Sequence, residues 1–212
     1  SRAVVCVGDI KKEVTGQTGI VLDGLELGPF TEYTVKLTAF DNMGRSASKE
    51  AYFSTGRLSV PWTAKWITDK AYSFAKDTSP APFTFRKSFS VKKPLKRAFV
   101  TATALGIYEL NINGEKVGNE YFAPGFTSYK HSLQYNLYDI SDLLTAKNTL
   151  IAVVGGGWAV GRFTYSSKSR ITCDRQAFLM ELFLEYQDGS TEKIVTDGTW
   201  QVTTQGNYRF GD

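Results

Sequence analysis

Apolar and polar side chains alternate one for one along much of this chain, in short runs separated by glycine-bearing turns. A period of two puts every second side chain on the same side of an extended backbone, which commits the chain to half-buried strands. The clearest runs are Tyr33-Thr34-Val35-Lys36-Leu37-Thr38-Ala39-Phe40, Phe83-Thr84-Phe85-Arg86-Lys87-Ser88-Phe89 and Phe183-Leu184-Glu185-Tyr186. Asn113-Gly114 divides Tyr108–Ile112 from Glu115-Lys116-Val117, and Asp188-Gly189 divides Met180–Tyr186 from Thr191–Val195. Both dipeptides suit a tight hairpin, whose central residues need positive φ. The one helical candidate, Ser141-Asp142-Leu143-Leu144, has room for a single turn. Short strands at this spacing predict an all-β antiparallel sandwich rather than alternating strand and helix.

Two cysteines, Cys6 and Cys173, stand far apart without a CxxC partner, and His131 is the only histidine. Zinc sites, disulfide frameworks and a Ser-His-Asp triad therefore have almost no residues to draw on. The 25 basic and 21 acidic side chains leave a net charge of +4. The densest basic group, Lys92-Lys93 to Lys96-Arg97, is broken by Pro94 and Leu95, so no nucleic-acid partner is expected. No apolar run approaches the roughly 18 residues that cross a bilayer, which predicts a soluble chain without a membrane partner. The chain opens at Ser1 with no starting Met and no signal pattern, and reads as a cut piece.

A boundary is expected at residues 56–62, where Thr55-Gly56 closes a strand-rich stretch and Arg57-Leu58-Ser59-Val60-Pro61 forms an extended connector. The two units are then 1–57 and 58–212. In the first, Leu27-Gly28-Pro29-Phe30-Thr31-Glu32-Tyr33 precedes an alternating strand, and a second strand ends at Tyr52-Phe53-Ser54. This pattern resembles the C-terminal half of a fibronectin type III domain with its tyrosine corner. The resemblance places residues 3–7 at strand C, implies that strands A and B are missing, and makes the unit a spacer.

The second unit carries Trp62-Thr63-Ala64-Lys65-Trp66-Ile67, Ala81–Phe89, and the run Ala104–Gly118 with its Asn-Gly turn. Ala123-Pro124-Gly125-Phe126-Thr127-Ser128-Tyr129, Tyr135–Ile140, Asn148-Thr149-Leu150, Gly155-Gly156-Gly157-Trp158 and Thr196-Asp197-Gly198-Thr199-Trp200 follow in order. Together these resemble the N-terminal β-sandwich module of bacterial α-L-rhamnosidases of glycoside hydrolase family 78, which is related to carbohydrate-binding module family 67. The family usually has Trp where this chain has Phe126, and often an aromatic where it has Ala159. The resemblance implies a jelly-roll-like sandwich and a parent enzyme that inverts configuration and degrades rhamnose-containing polysaccharide. Its catalytic acids belong to a separate (α/α)6 helical barrel, so this fragment is expected to be non-catalytic. The parent is expected to be periplasmic or secreted. The implied partners are rhamnose-containing glycans and, within the parent, the catalytic domain.

Sugar binding asks for an aromatic face against ring C–H groups and for planar polar side chains against hydroxyls. Loops on a rigid sandwich commonly carry such groups. The loop Gly118–Gly125 and the stretch from Gly155 through Trp158, Gly161, Arg162 and Tyr165 offer them. The candidate contacts are Asn119, Glu120, Tyr129, Trp158 and Arg162. In the related module, acidic and amide loop side chains contact rhamnose beside a calcium ion, which implies Asn119 and Glu120 as contacts near a Ca2+ site. Four of the candidates have a plainer alternative: a hairpin end for Asn119 and Glu120, and core packing for Trp158 and Tyr129. The competing function is structural, with the sandwich bracing the barrel and no sugar site. Trp62, Trp66 and Trp200 are expected in the core, and His131 on a surface loop. Glu181 and Glu185 share a strand face and are expected on its solvated side, while Asp188 and Asp197 are turn residues.

Overall fold

The computed structural model describes residues 2–15 and 18–206, and the chain divides into two compact units, Ser1–Pro61 and Trp62–Asp212.

The first unit is one antiparallel sheet of four strands, β1 (Arg2–Val7), β2 (Ile10–Val14), β3 (Glu32–Phe40) and β4 (Ser46–Ser54), in the order β2-β1-β3-β4. The register aligns Val5 with Leu37 and Lys49, and Val7 with Val35 and Ala51, so these side chains share a face. Val5 and Val7 are buried, yet Leu37 at 41% stays exposed. A polar corner closes the end of the sheet. The Tyr33 hydroxyl accepts the Gly28 N–H at 2.8 Å, and the Thr55 hydroxyl donates to the Gly28 carbonyl at 2.6 Å. The Tyr33 ring stacks on Phe53 with centroids 5.4 Å apart.

The second unit is a two-layer sandwich. Its strands are β5 (Phe83–Ser90), β6 (Leu95–Leu105), β7 (Ile107–Ile112), β8 (Glu115–Lys116), β9 (Asn136–Asp139), β10 (Lys147–Gly155), β11 (Ala177–Tyr186), β12 (Thr191–Val195) and β13 (Gln201–Thr203). One sheet runs β13-β5-β10-β7-β8 and the other β12-β11-β6-β9, every pairing antiparallel. Period-two alternation sends Phe83, Phe85, Leu110, Ile112, Leu150, Ala152 and Val154 inward from the first sheet. Ala98, Val100, Ala102, Phe178, Met180, Leu182 and Leu184 meet them from the second. Each large side chain so buried contributes about 1.5–3 kcal/mol relative to exposure. Phe178 is the hub, with ring centroids 6.2 Å from Phe85, 5.6 Å from Tyr108 and 6.3 Å from Trp200. The all-β, jelly-roll-like expectation holds.

Three local expectations are refined or corrected. Asn113 (φ 55°) and Gly114 (φ 88°) form the expected two-residue turn. The Asp188-Gly189 hairpin is longer: the Gly189 N–H reaches the Tyr186 carbonyl and the Tyr186 N–H the Ser190 carbonyl, so only Gly189 takes positive φ. Glu181 is not on a solvated face but fully buried. Residues 63–64 lie over the outer side of β11, where one Glu181 carboxylate oxygen accepts the Thr63 N–H, the Thr63 hydroxyl at 2.7 Å and the Ala64 N–H at 2.9 Å. Trp66 is 43% exposed rather than core, whereas Trp200 is buried and donates its indole N–H to the Val195 carbonyl at 2.9 Å. Ser141–Leu143 forms the expected single turn, and His131 is exposed.

Candidate functional site

The chain crosses from one sheet to the other at Gly106, between β6 and β7, and this crossing sets the position of Trp158. Gly106 has φ 136°, and a Cβ there would overlap the Gly155 carbonyl oxygen at the end of β10. Only glycine permits that approach of two backbones. Directly beyond, Gly157 (φ 47°) opens the short helix α1 (Gly157–Val160) against Ile107, whose Cγ2 would lie 2.6 Å from any added Cβ. Trp158 is thereby held half-buried at one end of the sandwich.

Two loops close around it. In the first, residues 118–135, the Tyr108 N–H bonds the Ala123 carbonyl at 2.7 Å and the Gly125 N–H bonds the Phe122 carbonyl at 2.9 Å. That turn sets Phe122 and Phe126 edge-on to Trp158, with centroids 6.1 and 6.0 Å away. Such edge contacts suit the ring quadrupoles. The second loop, residues 161–176, is pinned at its base. Arg170 and Cys173 donate backbone N–H bonds to the Val160 and Ala159 carbonyls, and buried Ser169 exchanges hydrogen bonds with Asp77. Its tip carries Arg162, Phe163 and the fully exposed Tyr165, and Phe163 lies 6.0 Å from Phe126. A cavity of about 210 Å³ opens here, lined by Ile107, Phe122, Gly157, Trp158, Arg162 and Phe163.

The sequence-expected residues separate in the structure. Trp158 and Arg162 line the cavity together. Tyr129 stands behind it, its ring edge-on to Phe126 at 6.3 Å. Its hydroxyl is buried without a hydrogen-bond partner, and burial raises its pKa above the ordinary phenol value. Asn119 and Glu120 are exposed but do not line the cavity. The Glu120 carboxylate accepts the Asn119 N–H at 3.1 Å and a hydrogen bond from Tyr138. It closes a polar cluster in which the Tyr108 hydroxyl contacts the Ala102 carbonyl at 3.2 Å, Asn136 at 3.1 Å and the Tyr138 hydroxyl at 3.4 Å. Burial, with the Glu120 charge as a further cause, raises both phenols, Tyr108 well above its usual range.

Calcium fits these residues poorly. It needs six to eight oxygens, and among the described residues no three His, Cys, Asp or Glu side chains converge. Glu120 is already engaged by Tyr138 and its own backbone neighbour.

The sandwich can be compared with known proteins on this basis. Residues 93–212, more than half of the chain, match the α-L-rhamnosidase N-terminal domain family. The chain belongs to that family. An α-L-rhamnosidase from Alteromonas sp. (strain LOR) is 30% identical over 177 residues, covering 80% of this chain and 19% of the relative. One from Formosa agariphila is 29% identical over 187 residues, covering 85% and 20%. Among solved structures, native α-L-rhamnosidase from Aspergillus terreus aligns with TM-score 0.83 and 30% identity over 95% of this chain and 25% of its own. The chain thus spans about a fifth of the curated relatives it matches. The Streptomyces avermitilis α-L-rhamnosidase complexed with L-rhamnose, at 17% identity and TM-score 0.80, shares the fold.

Within this α-L-rhamnosidase N-terminal domain, sequence reasoning missed Ile107 and Phe163 as cavity residues. Phe163 sits in a stretch without period-two alternation, and Ile107 reads as an ordinary strand start. The available signal was the triplet Gly155-Gly156-Gly157, because a glycine run beside an aromatic marks where another backbone must come close.

Proposed function

We propose that the sandwich of this α-L-rhamnosidase N-terminal domain binds carbohydrate and presents rhamnose-containing glycan to the catalytic domain of a longer parent enzyme. The observation that carries this reading is the cavity walled by Phe122, Trp158 and Phe163, open to solvent, with Arg162 at its side. Aromatic walls suit the C–H faces of a pyranose and the methyl group of a 6-deoxy sugar. A single polar group at the margin supplies orientation, as small-ligand sites commonly do. The chain's own part is binding, not hydrolysis: Glu181 is committed to Thr63 and Ala64, and Glu120 to Tyr138. Residues 1–57 serve as a fibronectin type III-like spacer, supported by the hydrogen bond between Gly28 and Tyr33.

Calorimetric titration with L-rhamnose, with D-galactose as control, tests the sugar reading. Saturable heat with rhamnose is expected, lost in Trp158→Ala and Phe126→Ala and unchanged by EDTA. No heat at roughly millimolar sugar overturns it in favour of a bracing role. That second reading rests on the exposed rings of the same loop, since Phe122 at 62% and Phe126 at 59% exposure offer apolar surface that a neighbouring domain would cover.

A further inference from the structure

Backbone strain gathers around the cavity. Of the eight non-glycine residues with positive φ among the described residues, four fall in the two loops that frame it: Phe122, Thr164, Ser167 and Arg170. Phe122 is the one of these four that lines the cavity. Its φ is 59°, a region in which the Cβ of an L-residue crowds the following carbonyl oxygen. Glycine has no Cβ to crowd, and asparagine can bond its own backbone in compensation; phenylalanine can do neither. The hydrogen bonds on either side fix the conformation, since the Tyr108 N–H holds the Ala123 carbonyl and the Gly125 N–H closes onto that of Phe122. A glycine would therefore suit this turn better than the residue that occupies it.

Packing does not account for the choice. The Phe122 ring is 62% exposed and meets Trp158 edge-on, whereas Phe126 meets Trp158, Tyr129 and Phe163. Phe30, at φ 52° in the first unit, is half-buried and has the Arg57 guanidinium 5.6 Å over its ring, a structural reason that Phe122 lacks. Strained backbone that local packing does not explain is characteristic of ligand sites. We infer that Phe122 is retained for ligand contact and against stability, its left-handed backbone presenting the ring as a cavity wall to the C–H face of a pyranose. The inference rests on the sugar-binding reading above and adds to it the residue at which affinity and stability oppose each other.

The test compares Phe122→Ala, Phe122→Gly and Phe122→Asn in the whole chain, by calorimetric titration with L-rhamnose and by thermal melts. All four tryptophans, Trp62, Trp66, Trp158 and Trp200, lie in the second unit, so melts followed by tryptophan fluorescence report on the sandwich. Phe122→Ala removes the ring and keeps the crowded Cβ, and the step from Ala to Gly removes the crowding alone. Rhamnose affinity is expected to fall about tenfold or more in all three variants. Phe122→Gly and Phe122→Asn are expected to melt no lower than the parent, with Phe122→Gly roughly 2–4 °C above Phe122→Ala. A Phe122→Gly melt below the parent, or equal to that of Phe122→Ala, overturns the inference while sugar binding stands. So does an unchanged rhamnose affinity in Phe122→Ala. Absence of rhamnose heat in the parent chain overturns the sugar reading and this inference together.

Discussion

The two units of this chain are built from equally regular ladders and are stabilised very differently. In the first, Glu32–Phe40 pairs along its whole length with Ser46–Ser54, yet the shared apolar face leaves Leu37 exposed. In the second, the corresponding faces of two sheets lie against each other, and Leu110, Leu150 and Leu182 are each at most 1% exposed. Backbone pairing is thus the common part and contributes modestly per bond. What differs is the second layer, which removes apolar surface from water at roughly 25 cal/mol per Å². It also explains where the candidate site can be. The loops that frame the cavity hang from strands fixed on two sides, so Trp158 can be held half-open without collapsing.

The largest effect that would break this contrast is a core truncation. Phe178→Ala, at the hub of the sandwich, should cost about 3–5 kcal/mol. Leu37→Ala, on the open face of the first sheet, should cost less than about 1 kcal/mol. Urea unfolding of the two variants decides it. Equal losses would mean that the first sheet is as well covered as the sandwich.

Next in size is the buried carboxylate. Glu181→Ala strands two backbone N–H groups and a hydroxyl beneath the 63–64 segment and should cost about 2–3 kcal/mol. Its counterpart in the first sheet is the Lys36–Glu50 pair at 3.3 Å, about half-exposed on both sides, where Glu50→Ala should change stability by less than about 0.5 kcal/mol. Thermal melts suffice. A large Glu50 effect together with a small Glu181 effect would reverse the picture.

Much of this was legible in the sequence because strands and turns are local. The alternation at Tyr33–Phe40 and Phe83–Phe89 places β3 and β5, and Asn113-Gly114 places the β7–β8 turn. What was not legible depends on residues distant in the chain. Glu181 sits where period-two alternation allows a solvated face, but Thr63, 118 residues earlier, covers it. Trp66 looks apolar enough for the core and is left at the surface. The site was half legible: Trp158 and Arg162 both line the cavity, while Asn119 and Glu120 stand away from it, the Glu120 carboxylate held by Tyr138 and the Asn119 N–H. No spacing rule announces that a tyrosine twenty residues away will claim a loop carboxylate.

Hydroxyl deletions sharpen the comparison at about 1 kcal/mol. Tyr33→Phe removes the bond to the Gly28 N–H and should lower the stability of the first unit by about that amount. Tyr129→Phe removes a buried hydroxyl that has no partner and should be neutral or slightly stabilising. Both are read by thermal melts. A destabilised Tyr129→Phe would reveal a partner for that hydroxyl and with it a role beyond supporting Phe126.

The smallest effect concerns pH. On the edge strand β12, the Glu192 carboxyl is held below its ordinary value first by a hydrogen bond from the Lys92 ammonium and then by the Tyr186 hydroxyl at 3.0 Å. The folded state therefore releases this proton more readily than the unfolded chain, whose carboxyl stays near 4.5. The resulting stability is complete above that value and is lost as pH falls through the lower folded one. Because the Lys92 side chain is 67% exposed, the contribution should stay below about 1 kcal/mol and shrink with salt. Glu192→Gln should melt lower than the parent at roughly pH 6 and match it at roughly pH 3. In the first unit Asp41 is lowered in the same direction, chiefly by Arg45, but the Arg45 side chain is 77% exposed and no buried side chain supports the pair. Asp41→Asn should therefore change the melt less at either pH, so the pair that rests on a buried tyrosine of the two-layer unit would be the one whose removal is measurable.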